Sequence, residues 1–396
     1  MQTSVTVNVR VPEAPFPAVT AAVLCDRGIG WELADWDLAN RDLANRDLAN
    51  RDLADLEDLT GNVRAIALGA SAECAEQNIL EIADRLEAAG AVVKWRAAAS
   101  VVPVASAVPV TSEQAMNGMD DTRPAYRWPN RPTVLAVIPH WQCEQWLRRC
   151  LQSLVSQRYP LTNIVVIDDG SETAPIEIVR DFPQVTLLAS TLAQQVGPYR
   201  LVQSVAERVN YTAFLFQDAD DWSSCDRLQT LLTTARLHQA DLVGSQEIRV
   251  MEPAQTLQAV GYPIDVNAAM RYAPGHGLLH PTSLVTRQLL QRVGGFATGL
   301  RFGADSEFLL RAHWIARVVN SPNYCYFRRK RPDSLTTSKE TGLASQARKQ
   351  LTQTMKVKAR ERSQAVQAGK PPDLRPLAVE SLVELAHVCG PTLRWQ

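Results

Sequence analysis

The residues of this 396-residue chain that could do chemistry gather where apolar runs stop. Phe214-Leu215-Phe216 passes through Gln217 into Asp218, Ala219, Asp220 and Asp221. Three carboxylates at one strand end repel one another unless a cation lies among them. Hard divalent ions take oxygen ligands, and Mg²⁺ is usually shared between carboxylates and a substrate's phosphates. The cluster therefore reads as a metal–diphosphate site. A second acidic end stands fifty residues upstream, where Asn163-Ile-Val-Val-Ile runs into Asp168-Asp169-Gly170-Ser171. Either cluster also suits a solvated turn or a helix N-cap, where Asp is favoured. A calcium EF-hand does not fit, because the glycine that loop needs at its sixth position is absent.

The elements that would position these groups follow from periodicity. Thr133–Ile138 is a third apolar run, closed by Pro139 and followed by His140. Between it and Asn163, the residues Trp146, Leu147, Cys150, Leu151, Leu154 and Val155 recur at helical spacing and give one apolar face. β-Branched runs of this kind are buried on both faces of a parallel sheet. Strand, helix, strand predicts a right-handed βαβ unit whose ligand crevice lies at the carboxyl ends of its strands. Both acidic clusters sit at such ends, so they converge on one ligand despite their separation in sequence.

Composition narrows the class. A net charge of −1 gives no global attraction to nucleic acid. The seven cysteines are scattered without a CxxC pair, which argues against a disulfide framework or zinc site and suits a reducing cytoplasm. No signal peptide or membrane-spanning run is expected. Residues 1–62 form an N-terminal extension with a strand near Ser4–Val11 and a five-residue tandem repeat over 36–60. Its pairs Asp37–Arg41, Asp42–Arg46 and Asp47–Arg51 support an exposed helix or linker. The period also resembles pentapeptide-repeat proteins, but arginine stands where that family wants a small residue, and the repeats complete about one coil. Residues 63–100 read as a small α/β segment (strand Val63–Leu68, helix Cys74–Ala89, strand Ala91–Trp95) and 101–131 as a linker. A main domain over 132–338 precedes a basic helical tail, 339–396, with a last short helix near Leu377–Val388.

The ordered set Ile138-Pro139-His140-Trp141-Gln142, Asp168-Asp169-Gly170-Ser171 and Asp218-Ala219-Asp220-Asp221 resembles family 2 glycosyltransferases of the GT-A fold. Gly294-Gly295-Phe296, Asp305-Ser306-Glu307, and Arg329 through Ser334-Leu335-Thr336 follow in the same order. The resemblance covers residues 132–338. It implies an α/β fold with a Rossmann-like mixed sheet flanked by helices. The implied activity is inverting transfer of a sugar from a nucleoside diphosphate donor of UDP or GDP type to a saccharide or other hydroxyl acceptor. Pro139, His140, Asp168 and Asp169 would hold the nucleotide, with Asp218 toward the ribose or the metal. Asp220 would ligate Mn²⁺ or Mg²⁺, supported by Asp221, and Asp305 would be the general base. The chain departs from the pattern at Ala304, where Glu is common, and at Arg331, where histidine is common. It also departs at Gly197-Pro198-Tyr199-Arg200, which leaves Arg200 as a diphosphate contact.

Other readings stay open on the residues alone. Asp305 and Glu307 also suit the positive end of a helix. His280 is a lone histidine with a structural or a substrate role. The run Tyr324–Arg331, with Arg329 in it, mixes aromatics with bases as single-stranded nucleic-acid binders do, yet it equally makes a buried strand whose arginines face phosphate. The tail offers a peripheral contact at the inner face of the membrane. A non-catalytic nucleotide-sugar-binding or scaffold protein is the alternative from another class. A nucleotidyltransferase is less favoured, since no Gly-rich phosphate loop follows the first strand.

Overall fold

The computed structural model describes residues 123–251, 256–332 and 334–396, together with the backbone of three short strands nearer the N-terminus. Those strands are Val5–Arg10 (β1), Val19–Val23 (β2) and Val92–Ala97 (β3). β1 pairs antiparallel with both others. The tandem repeat, the expected strand Val63–Leu68 and the expected helix Cys74–Ala89 lie outside the described residues.

The main sheet begins with Val134–His140 (β4), followed by the helix Glu144–Val155 (α1), Asn163–Asp168 (β5), Ile176–Arg180 (α2), Val185–Ser190 (β6), Pro198–Ala206 (α3) and Ala213–Phe216 (β7). β6, β5, β4 and β7 are adjacent and parallel. Every residue of β4 except Pro139 is buried. Its side chains alternate in direction: Leu135 and Val137 enter one core, while Val134, Ala136 and Ile138 enter the other. Helix α1 buries Leu147, Cys150, Leu151 and Leu154, the stripe expected from the sequence. It covers one face of the sheet with α2, while α3 covers the opposite face through Leu201, Val202 and Val205. The chain steps outward from β4 through β5 to β6, then returns to β7 on the other side of β4. That reversal makes β4/β7 a switch point, and the crevice beyond its carboxyl ends is where such sheets bind ligands.

Beyond β7 come Trp222–Ser223 (β8), Arg227–His238 (α4), Leu242–Met251 (β9), Thr256–Val260 (β10), Val266–Tyr272 (α5), Leu284–Thr286 (β11) and Arg287–Arg292 (α6). Ala304–Ala312 (α7), Val318–Lys330 (β12), Gln346–Gln367 (α8) and Leu385–Cys389 (β13) complete the order. β11 is antiparallel to β7 and β9, and β12 runs parallel to β9, so the sheet is mixed as expected. β12 also meets β3 at Tyr324 and Trp95.

The tail departs from expectation. It is helical over α8, but the expected helix near Leu377–Val388 does not form. Residues 370–384 carry no helix, and β13 adds antiparallel to the edge of β6. The physical reason is local competition. A sheet edge presents unpaired N–H and C=O groups that a passing segment can satisfy. Side chains then pin the approach: Arg208 donates to the Val383 carbonyl (2.7 Å), Ser204 Oγ accepts from the Val383 N–H (2.8 Å), and Thr186 Oγ1 donates to the Pro391 carbonyl (2.6 Å). Val383 and Leu393 are buried in the process.

Candidate active site

Register brings the first two groups together. β4 and β5 align so that His140 stands opposite Asp168. The imidazole Nδ1 lies 2.9 Å from Asp168 Oδ1, and the Cys143 N–H donates to Nε2 at 3.4 Å. With Nε2 accepting, Nδ1 carries the proton and donates to the carboxylate. Ser171 adds its hydroxyl to Asp168 Oδ1 (2.6 Å) and its N–H to Oδ2 (3.1 Å). Burial pushes the Asp168 carboxyl up, but these hydrogen bonds outweigh it and hold the group below the usual carboxylate range. Pro139, half-buried, sets the end of the strand beside this pair.

Asp169 faces a different task. It accepts from the N–H groups of Val196 (3.0 Å) and Gly197 (2.8 Å), so it anchors the loop entering α3. Gly197 has a φ of 92°, a conformation L side chains rarely adopt, and this turns its N–H toward the carboxylate. Burial still raises Asp169 above the usual range against those two bonds. Arg200, one turn into α3, does not point an unengaged fork at a diphosphate. It donates to Glu380 Oε2 (2.6 Å) and the Ser381 carbonyl (2.8 Å), tying α3 to the tail.

The acidic cluster is built on a buried brace. Arg227 is fully buried at the start of α4 and donates to the carbonyls of Phe216 (2.8 Å) and Pro281 (2.7 Å) and to Gln217 Oε1 (2.8 Å). Tyr326 OH accepts the Asp218 N–H at 3.1 Å. These bonds fix where β7 stops. Asp218 is half-buried, Asp220 is 17% exposed in its side chain, and Asp221 is buried. Burial, and then the negative charge of Asp220, push the Asp218 carboxyl up to about 7. The same causes, joined by Asp218, push Asp221 well above its ordinary value.

Arg329, near the end of β12, and Arg331, just past it, close over this cluster. Arg329 donates Nε to the Asp220 carbonyl (2.9 Å) and its backbone N–H to Asp221 Oδ1 (2.7 Å). Arg331 donates Nε to Asp220 Oδ2 at 2.8 Å. Their guanidinium groups lie against indoles: Arg331 is 4.3 Å from the Trp146 ring, and Arg329 is 5.3 Å from Trp222. Trp222 in turn stacks on Phe327 with centroids 5.0 Å apart and ring planes nearly parallel, and Arg149 lies 4.0 Å from its ring. The expected divalent ion does not fit the residues as they stand. Among the described residues, no group of three His, Cys, Asp or Glu side chains is arranged to hold a metal. Asp220 is already paired with a cation, and Asp221 faces a backbone N–H.

Asp305 stands in the first turn of α7, half-buried, after Gly303 with its φ of 77°. Its charge reaches Asp218, Tyr199, His280 and Arg348, so it lies on the same side of the sheet's carboxyl end as they do. Glu307 is not part of that group. It is buried in a clasp with Arg311 (2.6 Å) and Arg362 (3.8 Å), joining α7 to α8. His280 is caged by Phe216 (centroids 4.2 Å apart), Phe296 and Tyr199, and its buried Nε2 has no hydrogen-bond partner. Burial pushes the imidazole down to about 4. Arg227, Tyr326, Trp146 and Trp222 were not among the expected site residues. A partial signal existed for the arginines: Arg329 and Arg331 are two apart where the apolar run of β12 gives way to bases.

Comparison with known proteins bears on the same segment. The model of glycosyl transferase family 2 matches residues 135–275. The uncharacterized glycosyltransferase EpsJ of Bacillus subtilis is 27% identical over 226 residues, which is 52% of this chain and 63% of that protein. Glycosyltransferase GlyA of Streptococcus pneumoniae is 30% identical over 112 residues, 28% of this chain and 16% of its own length. The chain thus spans less than two thirds of the length of the curated relatives it matches. The structure of S. aureus TarS 1–349 in complex with UDP-GlcNAc is 22% identical, with a TM-score of 0.42 over 51% of this chain and 60% of that one. Among the described residues no helix is long and apolar enough to cross a membrane. The segment 135–275, which holds nearly all of β4 with β5, β7 and the acidic cluster, thus matches the glycosyl transferase family 2 domain, on a mixed α/β sheet flanked by helices.

Proposed function

We infer that the protein transfers a sugar from a nucleoside diphosphate donor to an acceptor hydroxyl, with inversion at the anomeric carbon. The observation that carries this reading is the meeting of three strand ends, His140, Asp168 and Asp218, at the switch point, with Asp305 in electrostatic reach of Asp218. The nucleotide would lie over the β4 and β5 ends, where the His140–Asp168–Ser171 network gives a rigid polar floor. The diphosphate would then extend toward Asp220 and the arginines of β12. Asp305 would accept the acceptor's proton while the hydroxyl oxygen attacks from the face opposite the departing diphosphate. Single displacement with one base gives inversion.

The Ala304 departure is compatible with this role. Ala304 is fully buried against the core, so a larger acid there would not reach the cavity without displacing that packing. Replacing Asp305 with Asn is the direct test. Transfer should fall by about 10²–10⁴-fold, while calorimetric affinity for UDP or GDP stays within about twofold of the parent. Equal turnover in Asp305→Asn would remove Asp305 as the base, and undetectable turnover in the parent with intact binding would favour a binding protein.

A further inference from the structure

The strongest unexplained feature is the cation already seated in the acidic cluster. Arg331 and Asp220 pair at 2.8 Å, each with only 17% of its side chain exposed. The pair is not a surface accident, because the guanidinium also lies 4.3 Å from the Trp146 ring and directs Nη2 at Cys143 Sγ (3.5 Å). The chain just beyond is held as well: Thr337 Oγ1 donates to the Arg331 carbonyl at 2.8 Å. Arg329, two positions earlier, grips the Asp220 carbonyl and Asp221. Stacking on an indole and pairing through Nε fix the plane of a guanidinium, and with one Nη2 proton on Cys143 they leave Nη1 and the other Nη2 proton for a second acceptor.

We propose that Arg331 takes the part of the divalent ion: oriented by Asp220 and Trp146, its Nη edge neutralises the donor's diphosphate, and the nucleotide binds without metal. Asp220 is then a positioning residue for Arg331 rather than a metal ligand. The inference rests on the donor reading given above. A guanidinium suits this task because its paired N–H groups match phosphate oxygens and it stays charged at any working pH.

The test is calorimetric titration of the full chain with UDP and with GDP, in excess chelator and again in Mn²⁺. Binding to at least one nucleotide should persist in chelator and change less than about threefold on adding Mn²⁺. Arg331→Ala should weaken chelator-phase binding by about ten- to a hundredfold. It should also regain part of that loss in Mn²⁺, because Asp220 is released. Mn²⁺ alone, followed by electron paramagnetic resonance, should bind Arg331→Ala at least about tenfold more tightly than the parent. Arg331→Gln serves as the second variant should Arg331→Ala fail to fold: its neutral amide fills much of the same space without the charge, so chelator-phase binding should still weaken by at least about tenfold. Nucleotide binding that requires Mn²⁺ in the parent, or unchanged chelator-phase binding in Arg331→Ala or Arg331→Gln, overturns the proposal. Failure of either nucleotide to bind with or without Mn²⁺ would instead overturn the donor reading itself, and the inference with it.

Discussion

His280 shows how a single side chain's surroundings set its chemistry. Enclosed by Phe216, Phe296 and Phe308, it has no partner for Nε2, and burial pushes it down to about 4 from an ordinary 6.5. Between those values the unfolded chain takes up a proton that the native state refuses, so the stability His280 contributes is present above pH 6.5 and is lost as pH falls toward 4. His313, pushed down to about 3, acts in the same direction. Asp218 opposes them. Pushed up to about 7, it holds a proton in the native state that the unfolded chain releases, so its contribution grows as pH falls below 7. The net slope mixes both signs, and a difference between variants isolates one. Urea denaturation of His280→Phe should show its stability rising relative to the parent by about 2 kcal/mol between pH 7 and pH 5. A pH-independent difference would mean that His280 is not held neutral.

At the scale of elements, β13 is the feature to perturb. It covers the β6 edge, and its approach is pinned by Arg200, Ser204 and Arg208 through Glu380, Ser381, Val383 and Glu384. Removing residues 371–396 would leave β6 with a row of unpaired backbone groups, a ready template for pairing with another chain. Light scattering should therefore report self-association of the truncated protein at concentrations where the full chain does not scatter. A truncated protein that stays dispersed would show that β6 is protected by other means. The Asp305–Glu307 pair makes a related point about reading elements. Two residues apart on a helix project about 200° from one another, so both could not face one cavity. The sequence therefore contained the reason that Glu307 joins Arg311 and Arg362 while Asp305, on the other side of α7, does not.

Across the whole molecule, the parallel core was readable because β-branched runs and one clean helical stripe leave few alternatives, and the acidic strand ends mark its carboxyl side. The pairing of His140 with Asp168 was not readable, since it depends on the register of β4 against β5. Neither was the engagement of Arg200, whose partner Glu380 lies 180 positions away. The tail was misread where a neighbouring sheet edge outweighed local helical pattern, a case of tertiary context overriding propensity. The switch-point location carries a global prediction. A ligand that bridges β4, β5 and β7 binds only the folded chain, so it stabilises by mass action. UDP or GDP at about 100 times its dissociation constant should add about 2.7 kcal/mol, visible as a concentration-dependent rise in Tm. A Tm that ignores a nucleotide shown to bind would place that nucleotide away from the strand ends.

The stacking of Arg331 on Trp146 has an optical consequence. An indole's emission responds to the charge beside it, and here that charge is the guanidinium at 4.3 Å. When a diphosphate arrives and shares that positive charge, the local field across Trp146 changes within the same event. The site thus carries its own dye. The difference in fluorescence between the parent and Trp146→Phe would let the arrival and departure of nucleotide be timed in milliseconds, without a label and without waiting for a sugar to move.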